Sequence, residues 1–420
     1  MKILVVGGGG REHAIVWKLS QSPRVSRIYC APGNGGIASM AECIEIEATD
    51  LDGITVFARE KEIDLTVVAP DDPLAMGMVD KLEANGLRAF GPRKAAARLE
   101  SSKVYAKEFM KKYGIPTAEY QAFESYEDAL SYLKQADFPV VVKADGLALG
   151  KGVIIASSRE EAENALREML LEGRFGDAGK RILIEEFITG PEVSILAFTD
   201  GRTAIPMVSS QDHKRVYDGD KGPNTGGMGA FSPSPFYTAD IAKYVEKNII
   251  EPTIRGMGEE GSPFKGVLYF GLMLTSDGPK VLEYNARFGD PETQAVLPRL
   301  KSDLLEIMEA VIDERLDQMQ IDWDDRAAAC VVLASGGYPG SYDKGIPIEI
   351  GEVTDCLLFH AGTAQGLHGL VTNGGRVLGV TALGKDLEQC IRKVYGSINR
   401  IYFKGMHYRR DIGRIKEREQ

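Results

Sequence analysis

The alternation of short apolar runs with helical stretches over residues 1–92 constrains the fold of this chain most strongly. A strand, a helix and another strand in succession build a parallel sheet, because parallel neighbours need a long crossover connection. The predicted strands occupy residues 2–6, 27–30, 43–46, 65–69 and 88–90. We therefore predict a doubly wound parallel sheet that ends at Gly91-Pro92.

The rest of the chain predicts mixed helix and strand, with a β-rich carboxyl-terminal part. Ser101 and Ser102 can cap a helix over residues 103–113. Further strands are expected at 140–143, 153–156, 182–185, 193–198, 267–275 and 280–285, and helices at 159–171, 240–256 and 302–315. From Ala327 β signals dominate, including a predicted hairpin over 369–378 with an Asn373-Gly374 turn at positive φ. The predicted fold class is α/β and α+β, in several domains.

Composition and charge restrict the partners. A chain of 420 residues suits two to four domains, and 44% hydrophobic with 26% charged residues is typical of a soluble globular protein. The net charge of -11 argues against a nucleic-acid partner, since such proteins carry basic surfaces for phosphates. We find no run of eighteen apolar residues, so no membrane span is expected. The five scattered cysteines form no C-x-x-C pair and are predicted to be free thiols in a reducing cytosol.

Two glycine-rich turns follow the first two predicted strands, and glycines at a helix start leave N–H groups open to a phosphate. A dinucleotide site would need a third glycine where Glu12 or His13 stands, and an acid after the second strand, and both are missing. One small phosphorylated ligand suits these turns better than NAD, with tight turns that bind nothing as the alternative and His13 as a structural residue. The candidate binding residues are Gly8, Gly9, Gly10, Pro32, Gly33 and Asn34.

Lysines around a third glycine-rich stretch, residues 138–152, predict a site for phosphates. Lys143 closes an apolar strand, where a buried ammonium needs an anionic partner. Lys151 stands among glycines in a loop that could close over phosphates, and Lys103 could face the same site from its helix. Neither Lys143 nor Lys151 belongs to a Walker motif, and a hairpin with solvated lysines is the alternative.

Two further segments add candidates. An apolar strand breaks at residues 189–191, which indicates a connector between lobes whose backbone could bond a base edge while Glu192 binds ribose hydroxyls. Downstream, Lys214 and Arg215 precede a glycine-rich loop, residues 224–233, whose N–H groups could bind an anion. An ordinary long loop is the alternative for the second segment.

The segment 281–292 reads as a strand that directs charged and metal-binding side chains to one place. Because a strand alternates its faces, Glu283, Asn285 and Arg287 are expected on one side, opposite a core face of residues 282, 284 and 286. A carboxylate and an amide oxygen suit Mg²⁺, which usually shares its ligand shell with substrate phosphates. An edge strand with a solvated polar face is the alternative.

The ordered motifs at residues 5–13, 32–34, 143–148, 211–214, 224–229 and 285–292 together resemble the phosphoribosylamine-glycine ligase family of the ATP-grasp superfamily. The resemblance extends over essentially the whole chain, including residues 336–339 and 373–376. It implies a step of purine biosynthesis in which ATP, glycine and 5-phosphoribosylamine give glycinamide ribonucleotide, ADP and phosphate through glycyl phosphate. It also implies four parts: an amino-terminal substrate domain (1–101), a central catalytic ATP-grasp domain (102–120 and 190–326), a lid subdomain (121–189) and a β-rich carboxyl-terminal domain (327–420).

The resemblance further implies roles for individual residues, with ATP and Mg²⁺ or Mn²⁺ as cofactors. Glu283 and Asn285 become metal ligands; Arg287 would steady the transferred phosphoryl group or the glycine carboxylate, and Asp290 or Asp212 the glycine ammonium. Nucleotide contacts fall to Lys103, Lys143, Lys151, Glu185, Glu186, Phe187 and Glu192. Besides the two amino-terminal turns, the substrate contacts are Lys214, Thr225, Gly226, Gly227 and Met228. We expect a cytoplasmic monomer or weak homo-oligomer without nucleic-acid or membrane partners.

Three other functions are alternatives. Another ATP-grasp ligase of a carboxylate and an amine would share the lysines and the metal strand but lack this pair of amino-terminal turns. An NAD-dependent oxidoreductase is disfavoured by the missing third glycine, and a non-catalytic nucleotide sensor by the pair Glu283 and Asn285. The number of metal ions stays open.

Overall fold

The amino-terminal segment forms the parallel sheet that its sequence predicts. The computed structural model describes residues 1–147 and 152–414, and its first sheet has the strand order β3-β2-β1-β4-β5, with every pairing parallel. All five predicted strands have a counterpart, although the third and the fifth have only two residues each and the third overlaps the predicted range 43–46 at Cys43 alone. The elements are β1 (Lys2–Gly7), α1 (Gly10–Leu19), β2 (Arg27–Pro32), β3 (Glu42–Cys43), α2 (Leu51–Glu60), β4 (Leu65–Val68), α3 (Asp71–Met76), α4 (Met78–Ala84), β5 (Ala89–Phe90) and α5 (Lys94–Ser101).

Residues 120–186 form a second structural unit, which has its own hydrophobic core. After α6 (Lys103–Lys112), four antiparallel strands form a sheet in the order β6-β9-β7-β8. The helix predicted at 159–171 is α-helical only to Leu166 and continues as a π-helical turn over Arg167–Leu171. The elements are β6 (Tyr120–Phe123), α7 (Tyr126–Leu133), β7 (Val140–Ala144), β8 (Val153–Ala156), α8 (Arg159–Leu166) and β9 (Ile182–Glu186).

The central sheet has the order β11-β10-β16-β17 and shares its core with the amino-terminal sheet. Leu4 and Val6 of β1 belong to the same buried cluster as Ile195 of β10 and Leu268 of β16, so these two parts are packed as one body. The elements of this region are β10 (Glu192–Asp200), β11 (Ala204–Pro206), β12 (Gln211–Asp212), β13 (Arg215–Tyr217), β14 (Lys221–Asn224), β15 (Gly229–Ser232), α9 (Ala239–Val245), α10 (Glu251–Glu259), β16 (Lys265–Thr275), β17 (Gly278–Asn285), α11 (Glu292–Val296) and α12 (Leu304–Ile312).

The carboxyl-terminal strands complete a sheet that starts earlier in the chain. Its order is β12-β15-β18-β23-β20, so strands from residues 211–232 pair with strands beyond residue 327. Helix α13 packs on β23 and β18. The elements are β18 (Ala327–Ala334), β19 (Glu349–Ile350), β20 (Leu357–His360), β21 (Thr363–Gly366), β22 (Gly369–Thr372), β23 (Arg376–Gly384), α13 (Leu387–Ile398) and β24 (Ile401–Tyr402).

The predicted hairpin over residues 369–378 is wrong. Strand β22 pairs with the preceding β21, whereas β23 pairs with β18 and β20. The reason is burial, since Val377, Leu378 and Val380 are fully buried and draw β23 into the middle of the large sheet. Gly374 therefore does not form a turn at positive φ between these strands.

Other local predictions agree with the structure. Ser102 caps α6, with its Oγ accepting from the Tyr105 N–H at 3.1 Å. The predicted helix over 240–256 consists of α9 and α10 joined by a π-helical turn over Glu246–Ile250. All five cysteines are free thiols. Within residues 1–147 and 152–414, no helix combines the length and apolar character that a membrane crossing requires.

Candidate active site

One cavity of about 1110 Å³ collects most of the predicted site residues. It lies where the amino-terminal sheet, the unit of β6–β9, the central sheet and the carboxyl-terminal part meet. Lys151 lies outside the described residues. The predicted residues that line the cavity are Lys103, Lys143, Glu185, Glu186, Phe187, Glu192, Asp212, Lys214, Thr225, Gly226, Glu283, Asn285, Arg287 and Asp290.

Strand β17 presents the predicted metal ligands to this cavity. Glu283 pairs with Gly271 of β16, whereas Val281 pairs with Leu272, so a bulge leaves Leu282 without a partner. The alternation predicted for this strand therefore fails at Leu282, which lines the cavity instead of joining the core. Asn285 accepts from the Arg287 Nη2 at 3.3 Å, so these two side chains remain together beyond the bulge.

The charge on Glu283 is stabilised by its neighbours. Burial raises the pKa of its carboxyl, but the ammonium groups of Lys214 and Lys143 outweigh burial and hold the pKa below its ordinary value. Lys214 Nζ lies 3.6 Å from Glu283 Oε1 and 3.1 Å from Glu192 Oε2. Glu283 is therefore ionised at neutral pH and available as an oxygen ligand.

Lys143 has the anionic partner that its buried position requires. Its Nζ lies 3.0 Å from Glu185 Oε2, and the same oxygen lies 3.0 Å from the Nζ of Lys107. Lys107 also donates to Thr117 Oγ1 at 2.8 Å. The other carboxylate oxygen, Glu185 Oε1, is buried without a hydrogen-bond partner among the described residues. Two buried ammonium groups thus share one carboxylate as their direct ion-pair partner, and an anion that enters the cavity could be a second partner.

Sequence reasoning missed Lys107. A signal was present, because Lys107 follows Lys103 by four residues in the same helix and so lies on the same face. Burial lowers the pKa of Lys107 to about 8 despite its pairing with Glu185. Lys103 itself donates to the Gly146 carbonyl at 2.8 Å, which links α6 to the glycine-rich loop.

The segment after β9 carries the predicted nucleotide hinge. Glu186 Oε1 accepts from the Glu119 N–H at 3.0 Å and lies 3.1 Å from Lys280 Nζ. The Phe187 side chain lies on the rim with 38% exposure, and Glu192 forms an ion pair with Lys214. Glu186, Phe187 and Glu192 therefore form a partly exposed acidic and aromatic wall of the cavity, beside the buried lysines.

An acidic group surrounds Lys214. Burial and the carboxylate of Glu292 raise the pKa of Asp212 to about 8 although Lys214 opposes them. Glu292 accepts from Ser194 Oγ at 3.3 Å, and that hydroxyl lies 2.8 Å from the Tyr269 hydroxyl. Glu292 was missed as a site residue, since nothing in its spacing distinguishes it from a helix-start acid. A cation bound here would return Asp212 to its charged form.

Arg287 is anchored from the amino-terminal side. Its Nη2 lies 2.8 Å from Glu100 Oε1 and 4.0 Å from Asp71 Oδ2. The second oxygen of Glu100 accepts from the Ala286 N–H at 2.7 Å. Burial raises the pKa of Glu100 to about 7 against the opposing charge of Arg287. Neither acid was expected from the sequence, because both precede Arg287 by more than 180 residues.

The two amino-terminal glycine turns pack directly on each other. Asn34 Nδ2 donates to the Gly8 carbonyl at 2.8 Å, and a Cβ on Gly8 would collide with the Gly33 carbonyl. The Gly9 N–H donates to Glu12 Oε2 at 2.5 Å, so this amide is already satisfied within the chain. Pro32 ends β2 beside this junction.

His13 is a buried structural residue, as predicted. Its Nδ1 accepts from the His360 N–H at 2.8 Å, and burial lowers its pKa to about 3. The neutral ring therefore joins α1 to β20. It does not line the cavity.

The loop over residues 224–227 is folded back on Lys214. Thr225 Oγ1 donates to the Lys214 carbonyl at 2.8 Å and accepts from the Gly227 N–H at 3.0 Å. Met228 is fully buried, packs with Val216, and uses both its N–H and its carbonyl in backbone hydrogen bonds. The Met228 side chain does not line the cavity, because the strand that follows takes it into the core. The other predicted substrate contacts that do not line it are Gly8, Gly9, Gly10, Pro32, Gly33, Asn34 and Gly227.

The arrangement can hold a divalent cation only with help from a ligand. Among the residues that the structure describes, no three histidine, cysteine or acidic side chains converge as a metal site. Glu283 and Asn285 supply two oxygens, and Mg²⁺ typically takes one or two protein carboxylates with waters and substrate phosphates. These residues fit a cation that arrives with a nucleotide.

Three family models match consecutive parts of the chain. The descriptions are Phosphoribosylglycinamide synthetase, N domain, for residues 1–100, the ATP-grasp (A) domain for 101–293, and the C domain for 328–415. A phosphoribosylamine-glycine ligase from Caldanaerobacter subterraneus subsp. tengcongensis is 49% identical over 413 residues, which is 98% of this chain and 99% of that protein.

Solved structures agree with these matches. The phosphoribosylamine-glycine ligase from Thermotoga maritima superposes with a TM-score of 0.85 at 35% identity, over 98% of this chain and 100% of its own. The biotin carboxylase domain of the Hydrogenobacter thermophilus 2-oxoglutarate carboxylase, solved with MgADP, ADP and bicarbonate, gives a TM-score of 0.76 at 17% identity, over 97% and 91% of the two chains, and shows likeness of fold alone. The chain therefore belongs to the phosphoribosylglycinamide synthetase family, as its motifs indicate.

Proposed function

We propose that this protein joins glycine to 5-phosphoribosylamine in an ATP-dependent reaction that gives glycinamide ribonucleotide, ADP and phosphate, a step of purine biosynthesis. The observation that carries the proposal is that one cavity contains buried lysines, an ionised Glu283 and the acidic group around Lys214. An anionic nucleotide can therefore bind beside the lysines, and a cationic amino group can bind beside the neighbouring carboxylates.

ATP binds on the side of the buried lysines. Lys103, Lys143 and Lys151 neutralise its phosphates, and the sharing of Glu185 by Lys107 and Lys143 supports this. The base and ribose contact the wall formed by Glu185, Glu186, Phe187 and Glu192.

Glu283 and Asn285 hold the divalent cation, which is Mg²⁺, with Mn²⁺ as the alternative. When bound, the cation neutralises the charge that develops on the transferred phosphoryl group. Arg287, fixed by Glu100, presents its guanidinium beside these ligands and steadies the phosphoryl group or the glycine carboxylate.

The reaction has two steps. A carboxylate oxygen of glycine attacks the terminal phosphorus of ATP, and ADP leaves, which gives glycyl phosphate. The amine nitrogen of 5-phosphoribosylamine then attacks the acyl carbon, phosphate leaves, and the nitrogen loses a proton. Positioning and charge neutralisation carry both steps, so no side-chain nucleophile is needed.

The substrates bind opposite the nucleotide. Asp212 or Asp290 holds the glycine ammonium, and a cation beside Asp212 would offset the burial that raises its pKa to about 8. The glycine turns Gly8–Gly10 and Pro32–Asn34 receive the phosphate of 5-phosphoribosylamine, and Lys214 with the loop 224–227 closes the site. The proposal includes four parts, which are residues 1–101, residues 102–120 with 190–326, residues 121–189 and residues 327–420. It also includes a cytoplasmic location and a monomer or weak homo-oligomer.

Isotope tracing tests the proposal. Glycine labelled with oxygen-18 in its carboxylate is incubated with ATP, Mg²⁺ and 5-phosphoribosylamine, and the released phosphate is analysed by mass spectrometry. One labelled oxygen per phosphate is expected, because the carboxylate oxygen that attacks ATP leaves with the phosphoryl group. ADP release without glycine, a steady rate of ADP release that 5-phosphoribosylamine does not increase, or unlabelled phosphate would contradict the proposal.

A further inference from the structure

Two carboxyl-terminal motifs without an assigned role meet at the cavity wall. They are residues 336–339 and 373–376, and Tyr338 and Arg376 from them line the cavity. The Tyr338 ring lies so close to Gly375 that a Cβ there would collide with it. The Tyr338 hydroxyl accepts from the Gly226 N–H at 3.0 Å. The carboxyl-terminal part therefore touches a loop that the proposed reaction uses.

Arg376 joins two loops of the central region. Its Nη1 donates to the Gly226 carbonyl at 2.6 Å and to the Asp290 carbonyl at 2.7 Å. Its Nη2 lies 3.2 Å from Asp290 Oδ2. A planar guanidinium with several fixed donors suits this task, and a lysine ammonium could not make the same set of contacts. All three contacts lead to residues of the proposed site.

Asp290 in turn lies against the amino-terminal glycine turns. Its Oδ2 is 3.4 Å from the position that a Cβ on Gly9 would take, and its Oδ1 accepts from Gln294 Nε2 at 2.7 Å. Burial raises the pKa of Asp290, but Arg376, followed by Arg11, outweighs burial and keeps it below its ordinary value. The charge and the orientation of Asp290 thus depend on a residue from the carboxyl-terminal domain.

We propose that Arg376 is a positioning residue for the ligation, which acts through Asp290 and Gly226 so that the site is complete only when the carboxyl-terminal domain is docked. This inference rests on the proposed function. Asp290 adjoins the turn assigned to 5-phosphoribosylamine and not the buried lysines, and it is one of the two acids proposed for the glycine ammonium. Loss of Arg376 therefore affects use of 5-phosphoribosylamine, and of glycine where Asp290 is the acid that holds it, and leaves ATP binding unchanged.

The test uses steady-state kinetics of the full chain with Arg376→Ala, Arg376→Lys, Asp290→Asn and the double variant Arg376→Ala/Asp290→Asn. In Arg376→Ala, kcat/KM for 5-phosphoribosylamine should fall on the order of tenfold or more, while KM for ATP stays within about twofold. The double variant should be no slower than the slower single variant, because residues that act as a unit are not additive. Added guanidinium ion should restore part of the kcat/KM for 5-phosphoribosylamine in Arg376→Ala. It should restore none of it in the double variant.

Controls separate the possible failures. Arg392→Met is the matched control, because Arg392 is an exposed arginine of the same domain whose ion-pair partner within residues 1–147 and 152–414 is Glu388 alone, and it should behave as wild type. If Arg376→Ala does not fold, Arg376→Lys replaces it in the test. This variant keeps the positive charge but loses the planar guanidinium, and the same fall in kcat/KM for 5-phosphoribosylamine is expected. Wild-type-like kinetics in a folded Arg376 variant, equal rises in every KM, or multiplicative losses in the double variant would overturn the inference alone. A wild-type protein without ligase activity would overturn the proposed function instead.

Discussion

Replacing Glu185 by glutamine should destabilise the protein more than removing either lysine that it binds. Glu185 Oε2 lies 3.0 Å from the ammonium groups of Lys107 and Lys143, and the three side chains are only 2%, 3% and 9% exposed, respectively. Glu185→Gln leaves two buried ammonium groups without their direct ion-pair partner, and removing one partner of a buried pair costs about 3–5 kcal/mol. Lys107→Met leaves Glu185 paired with Lys143, so it loses mainly hydrogen bonds, about 1–3 kcal/mol.

Thermal unfolding of the full chain checks this order. At about 2.1 cal/mol/K per residue, a chain of 420 residues that unfolds as one unit shifts by roughly 1 °C per kcal/mol, so Glu185→Gln should lower the melting temperature by about 3–6 °C. The double variant Glu185→Gln/Lys107→Met should be less destabilised than the sum of its singles, because it also removes one unpaired ammonium. Glu163→Gln, which breaks an exposed pair with Arg159, is the control and should change the melting temperature little. A Glu185→Gln variant no less stable than Lys107→Met, or strict additivity, would refute the reasoning.

Three further predictions concern the metal strand, acid stability and the glycine turns. Glu283→Ala should abolish turnover while circular dichroism shows an intact fold, and retained ligase activity would remove Glu283 from its assigned role. His13, with its pKa lowered to about 3, stays neutral in the folded state while the unfolded state takes up a proton below about pH 6.5. The unfolding free energy should therefore fall on acidification from pH 6.5 to 5 by up to about 1.4 kcal/mol per unit from this group, and His13→Asn should reduce that slope in urea titrations. Gly8→Ala should lower the melting temperature and raise KM for 5-phosphoribosylamine, because its Cβ would collide with the Gly33 carbonyl, whereas Gly396→Ala, in an open helical position, should be neutral or slightly stabilising.

Predictions that depend on local pattern agree best with the structure. The parallel amino-terminal sheet follows from short apolar runs spaced by helices, and Ile3 to Val6 are fully buried as a central parallel strand requires. The cap at Ser102 and the pairing of Lys143 with an anion likewise follow from chemistry that a short segment carries. The family was evident from ordered motifs, and the matched family models agree with it.

Predictions that depend on long-range partners agree less well. Residues 369–378 have the composition of a hairpin, yet the burial of β23 gives it other neighbours. Leu282 has the correct alternation for the core, yet a bulge opposite β16 turns it into the cavity. Lys107 and Glu292 were missed because a buried lysine or acid looks ordinary until its partner is known. A sequence pattern does not contain the register of two strands that are distant in the chain.

The sequence by itself determined the fold class, the family and the group of residues around Glu283, because periodicity, glycine turns and ordered motifs are local properties. Tertiary structure decided which charges share a carboxylate, which strand carries a bulge and which domain reaches Asp290. Arg376 and Asp290 are separated by 86 residues, and only the docking of the carboxyl-terminal sheet brings them into contact. The physical reason is that ion pairs and strand registers are chosen by burial in the whole molecule, where an unpaired charge or an exposed apolar strand costs more than any local preference contributes.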